Sequence, residues 1–192
     1  MSYVILKSEM VDGYAQLESI EEIPDELREA LNESEPVAAR WPRGAWAQIP
    51  SEYKKSNRLG DLTGARSGTV VSQRFREALS PLVDAARVEF LPVAIKDVSG
   101  KPLEGSYYLL HVLDREDVID VEASGGKLNS VDNVSLIRWK KLVVKGGNAT
   151  IFRPLRIPRV SMVKEGVAEK LSAIDPPLIG LELLPPAEYK GH

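Results

Sequence analysis

The chain has 192 residues, no Cys, two His and a net charge of −3, and a domain of that length buries roughly 70% of its unfolded surface without a covalent staple. The absence of Cys excludes disulfides, thiolate metal sites, Cys nucleophiles and iron–sulfur clusters, and His111 with His192 is too few imidazoles for a His-rich metal site. The slight acidic surplus argues against a general binder of nucleic acid or anionic membrane, which needs excess positive charge.

The opening residues lack the charged leader and apolar run of a signal peptide, so a cytoplasmic chain is expected. Residues 3–6 form a short apolar run that reads as a strand. Pro24 suits the first turn of a helix over residues 24–32, with Asp25 and Glu26 at its positive end and Leu27 and Leu31 on one face. Residues 32–68 are broken by Pro and Gly and predict loops around one short strand near 46–49. Ser72 is a good N-cap for a helix over 72–83, whose Phe75, Ala78, Leu79 and Leu82 recur at helical spacing. Residues 88–95 read as a strand in which Pro92 limits ladder pairing. Residues 107–113, apolar on both faces, predict a central strand covered on each side. Asp114 should cap a short turn or helix, residues 134–144 should form one long strand or two short ones, and residues 163–173 a third helix. No stretch nears the ~20 apolar residues of a membrane span.

These elements predict one α+β domain: a mostly antiparallel sheet built around 88–95, 107–113 and 134–144, with a few packed helices. Residues 1–68 stand apart as an acidic, loop-rich N-terminal region, and 69–192 as the core. The stretch from Val71-Ser72 through Leu91-Pro92 echoes that from Val160-Ser161 through Leu184-Pro185, which points to a strand–helix–strand unit used twice.

Charge is strongly segregated. Residues 9–35 hold ten acids against Arg28 alone, while residues 138–170 hold nine bases against Glu165 and Glu169. The densest run, Asp114, Glu116, Asp117, Asp120 and Glu122, contains acids three and four apart, which a helix would gather on neighbouring faces. Such a cluster would meet a basic partner, hold a divalent cation, or simply start a helix. The Gly60–Thr69 loop lacks the Lys and spacing of a phosphate loop and reads as structural. Arg138-Trp139-Lys140-Lys141 has the ingredients of base stacking, yet on a strand Trp139 points away from Arg138 and Lys140 and reads as core. Trp41 and Trp46 read as loop anchors on the core, or as an interface hot spot if the pair is exposed, and His111 as a buried histidine with one satisfied hydrogen bond.

One order of motifs is more specific. Glu89-Phe90-Leu91-Pro92-Val93 leads to Tyr107-Tyr108-Leu109-Leu110-His111-Val112-Leu113-Asp114, then to Val118-Ile119-Asp120 and to Ile151-Phe152-Arg153. Over roughly residues 69–185 this resembles a family of bacterial polymorphic-toxin immunity proteins, the eleventh immunity class, formerly a domain of unknown function. His111 stands where that family more often has Asn. The resemblance implies a non-enzymatic cytoplasmic protein that binds and neutralises a toxin delivered by a neighbouring cell, and it brings no catalytic residues. No metal or cofactor is expected, and the charge balance and lack of a span predict no direct contact to nucleic acid or membrane. On charge, the expected toxin-binding residues are Glu21, Glu22, Asp25, Glu26 and Glu29, together with Asp114, Glu116, Asp117, Asp120 and Glu122. The alternatives are a small metal-dependent hydrolase using Asp114, Asp117 and Asp120, and a binding module without a toxin target.

Overall fold

A computed structural model describes residues 2–53 and 56–191; His192 lies outside them. Among the described residues the chain forms, in order, β1 (Tyr3–Ser8), α1 (Asp25–Asn32), β2 (Trp46–Gln48), β3 (Leu62–Ala65), β4 (Gly68–Ser72), α2 (Gln73–Leu79), β5 (Val88–Lys96) and β6 (Tyr107–Val112). There follow β7 (Arg115–Glu116), β8 (Lys127–Leu128), β9 (Leu136–Arg138), β10 (Ile151–Pro154), β11 (Ser161–Lys164), α3 (Glu165–Ser172) and β12 (Leu181–Leu184). The class is α+β.

The strands make two five-stranded sheets, β12-β1-β11-β10-β7 and β2-β5-β6-β4-β3, with β8 and β9 as a separate pair. All neighbours are antiparallel except β7 beside β10 and β2 beside β5. β6 is central, as its two apolar faces require: Leu109 joins the cluster under the N-terminal segment, and Leu110 joins the cluster under the helices. Pro92 lies in β5 just before the pairing with β2 begins at Ala94, so its missing N–H interrupts no ladder on that side.

Three apolar clusters hold the layers together. One lies between the β2–β6 sheet and residues 15–49, where Leu17, Ile20, Ile23, Leu27 and Leu31 meet Val70, Leu91, Val93 and Leu109. A second joins both sheets to α2 and α3. The third packs residues 118–160 on the outer face of the other sheet, around Ile5, Phe152 and Met162. Alternation along β1 explains how one strand serves two of them: Tyr3 and Ile5 face the third cluster, Val4 and Leu6 the second.

The unit is indeed repeated. β3-β4-α2-β5 and β10-β11-α3-β12 are each an antiparallel hairpin, a helix and a returning strand. In each case one strand lies between the first and last strands of the βαβ connection, β6 in one sheet and β1 in the other. Val71 and Val163, Phe75 and Val167, and Leu79 and Leu171 are each 92 positions apart, and all six lie in the shared cluster. This equivalence sets Ser72 against Lys164 rather than Ser161. The Ser72 hydroxyl accepts from Phe75 N at 3.1 Å and caps α2, whereas Ser161 begins a strand and α3 has no side-chain cap.

Two expectations are corrected. Residues 134–144 do not form a principal strand: only Leu136–Arg138 pairs, with Lys127–Leu128, and Val144 makes a lone bridge to Ile119. Residues 114–122 form no helix. β7 docks parallel on β10, and a turn follows at residues 121–125. Long-range pairing to Arg153 and Pro154 overrides the local acidic pattern there.

Candidate partner-binding site

Pro24 presets an extended entry to α1 (φ −55°, ψ 147°), and Leu27, Ala30 and Leu31 bury the inner face. Helical spacing then puts Glu26 and Glu29 on one outer stripe, with Asp25 beside it and Glu33 at the C-cap, while Glu22 precedes the helix at a positive φ of 61°. Glu22, Asp25, Glu26 and Glu29 are exposed, and Glu21 is half-buried, its carboxylate accepting from the Ser19 hydroxyl. Asp25 reaches Arg28 at 3.9 Å, but that guanidinium is directed to the Ile23 and Ile20 carbonyls at 3.1 and 3.3 Å. Glu33 pairs with Arg115 at 2.7 Å. Glu22, Glu26 and Glu29 have no ion pair among the described residues. Among the described residues these three carboxylates form an uncompensated negative surface.

The second acidic run is different, because four of its five carboxylates have partners within the fold. Asp114 pairs with Arg87 at 3.2 Å, and Asp117 meets the Arg156 guanidinium through two bonds of 2.8 Å. Glu116 accepts from Asn148 N at 3.0 Å and Ala149 N at 2.8 Å, which ties the 146–149 turn to β7. Asp120 accepts from Ala123 N at 3.0 Å. Glu122 alone has no side-chain partner among the described residues. The three aspartates therefore diverge, each to its own partner, and the described residues contain no group of three or more His, Asp or Glu arranged to hold a metal ion.

A cleft of about 710 Å³ opens beside the C-terminal end of α1, walled by β1, β6 and the hairpin turns before β4 and β11. These are the equivalent pieces of the two repeats. Arg153 projects from β10 into it. Its Nε donates to Pro158 O at 2.8 Å, and Nη1 donates to Leu31 O at 2.6 Å and Ser34 Oγ at 2.9 Å. All three acceptors are neutral. Burial lowers its pKa from the ordinary Arg value, Arg115 lowers it further, and Glu33 opposes both. His111, 4% exposed, lies at the same cleft with Nε2 2.8 Å from Glu35 O. Burial lowers its pKa below the usual 6.5, outweighing the Glu35 carbonyl and Glu89, which raise it; Arg153 also lowers it. Neutral His111 therefore donates from Nε2.

The remaining motifs are structural. Residues 62–72 form a hairpin turning at Arg66-Ser67. Trp41 donates to Pro92 O at 2.8 Å, and Trp46 lies under Lys96 Nζ at 3.4 Å. Trp139 stacks on Tyr189 and donates to its carbonyl at 2.9 Å, anchoring the C-terminal residues. Sequence reasoning missed the cleft because its walls come from four distant segments; the only signal was the basic excess of residues 138–170.

No described helix is long and apolar enough to cross a membrane. No curated protein matches the sequence. An immunity protein family (Imm11) does match, over residues 15–157, which takes in the acidic helix and starts well before residue 69, where the motif resemblance began. That span covers about three quarters of the sequence, and the chain belongs to the immunity protein family Imm11.

Proposed function

We propose that this protein binds a cognate toxin delivered by neighbouring bacteria and neutralises it by stoichiometric contact in the cytoplasm, without catalysis or cofactor. Family membership supplies the class of function, and the outer stripe of α1 carries the choice of surface. Glu22, Asp25, Glu26 and Glu29 stand exposed, and only Asp25 has a cation within 4 Å among the described residues. Such a stripe attracts a basic surface, accelerates encounter and fixes orientation. Asp114, Glu116, Asp117 and Asp120 are engaged within the fold, so they contribute field rather than free contacts, and Glu122 extends the acidic rim.

The test is co-expression with the product of the adjacent gene, where a cognate toxin is expected. Growth should be restored by the wild-type chain and by an Asp117→Asn variant, and the two proteins should co-purify at 1:1. A Glu22→Lys, Glu26→Lys, Glu29→Lys triple variant should lose most protection, with the residual binding less sensitive to salt. Failure of the wild-type chain to protect, or full protection by the triple variant, overturns the respective part of the reading.

A further inference from the structure

The chain is acidic overall, yet among the described residues the cleft between the repeats is lined by Lys7, Arg66, Arg153 and Arg159 and by no carboxylate. Lys7 and Arg66 are already paired away from the cleft, with Glu182 at 3.3 Å and Glu18 at 3.4 Å. Arg153 and Arg159 have no ion pair among the described residues. Arg153 is also fixed: neutral acceptors on α1, on Ser34 and on the turn before β11 hold Nε and Nη1, and Glu33 acts on it only from beyond ion-pair distance. A guanidinium oriented by neutral groups, half-buried and not directly ion-paired, is a preorganised receptor for a carboxylate. Leu31 and Asn32 of α1 form part of the rim, so the cationic cleft adjoins the acidic stripe. The volume suits several residues of an extended segment, within the roughly 300–1,000 Å³ typical of ligand sites.

The geometry points to this cleft as the receptor for an Asp/Glu-bearing segment of the toxin, held by Arg153 and Arg159 while the stripe of α1 meets a basic surface next to that segment. The inference rests on the toxin-binding reading above, and the experiment separates the two. Arg159→Glu alters an exposed side chain that holds no bond among the described residues, and Lys170→Glu makes the same charge change on α3 outside the cleft. Calorimetry with the toxin should show a loss of tenfold or more for Arg159→Glu and less than twofold for Lys170→Glu. Equal losses overturn the cleft assignment.

In parallel, hexaglutamate is titrated into the free full-length chain while the Arg153 and Arg159 Nε–Hε resonances are followed. Saturable shifts are expected with the peptide, and only weak ones with inorganic phosphate at matched ionic strength. Phosphate equal to the peptide marks a site for free anions and overturns the segment, as does the absence of any shift. A wild-type chain that forms no complex with the toxin overturns the functional reading, whatever hexaglutamate does.

Discussion

Asp61 shows how one buried side chain ties the repeats together. It is 8% exposed and accepts from Ser72 Oγ at 2.6 Å, Arg74 Nη1 at 2.9 Å and Ile179 N at 2.9 Å. The first two partners lie at the start of α2, and the third precedes β12 in the other repeat. Asp61→Ala would leave the part-buried Ile179 amide without its acceptor and take the counter-ion from Arg74, which keeps only the Pro176 and Pro177 carbonyls, so a loss of about 2–3 kcal/mol is expected in urea unfolding. A change below ~1 kcal/mol would refute the role. His111 gives a second residue-level prediction. Its folded pKa lies below 6.5, so between those values the unfolded state binds the extra proton. Stability is therefore full above about pH 6.5 and falls as pH drops toward the folded value, by at most ~1.4 kcal/mol per pH unit. Thermal melts from pH 7 to pH 5 should fall less steeply for His111→Asn than for wild type; parallel slopes would contradict this.

The acidic stripe of α1 carries a cost at the level of the element. Asp25 and Glu26 suit the positive end of the helix, but Glu29 opposes the negative end, and no base occupies the last turn. Glu29→Lys would relieve that and place a cation four residues after Asp25, a stabilising order. The variant should gain roughly 0.5 kcal/mol in unfolding free energy while binding toxin at least fivefold more weakly; a gain in both would remove α1 from the interface. α1, α2, β5 and β6 were legible in the sequence because Pro24, Ser72 and the apolar alternation are local signals. β7 was not, because its pairing partner is β10, almost forty residues away, and local acids mimic a helix start. The acids of residues 114–122 were legible as a cluster but not as ion-paired, since Arg87 and Arg156 reach them only through the tertiary fold. The cleft was illegible for the same reason.

At the scale of the molecule, the repeats differ chiefly in where their middle strand comes from. In one, β6 follows the returning strand β5 directly. In the other, the corresponding place beside β12 is taken by β1, from the opposite end of the chain. The registers Ile5↔Leu184 and Ser8↔Leu181 show that a strand leaving the end of β12 and turning back would run along the path of β1. β1 buries Tyr3, Ile5 and Leu6, about 5–8 kcal/mol at ordinary side-chain burial values. That is comparable to the whole stability of a typical domain. A chain beginning at residue 9 should thus lose cooperative melting, with the flanks of β11 and β12 left unpaired and prone to association. Restoring residues 2–8 after Gly191 through a flexible Gly/Ser linker should recover a single sharp transition within a few degrees of the native one, because loop-closure entropy rises only slowly with linker length. Circular dichroism melts and analytical ultracentrifugation distinguish the outcomes. A truncated chain as stable as the native one would show that β1 is dispensable. A permuted chain that stays unfolded would show that the N-terminal connection through residues 9–24 is required for the second repeat to form.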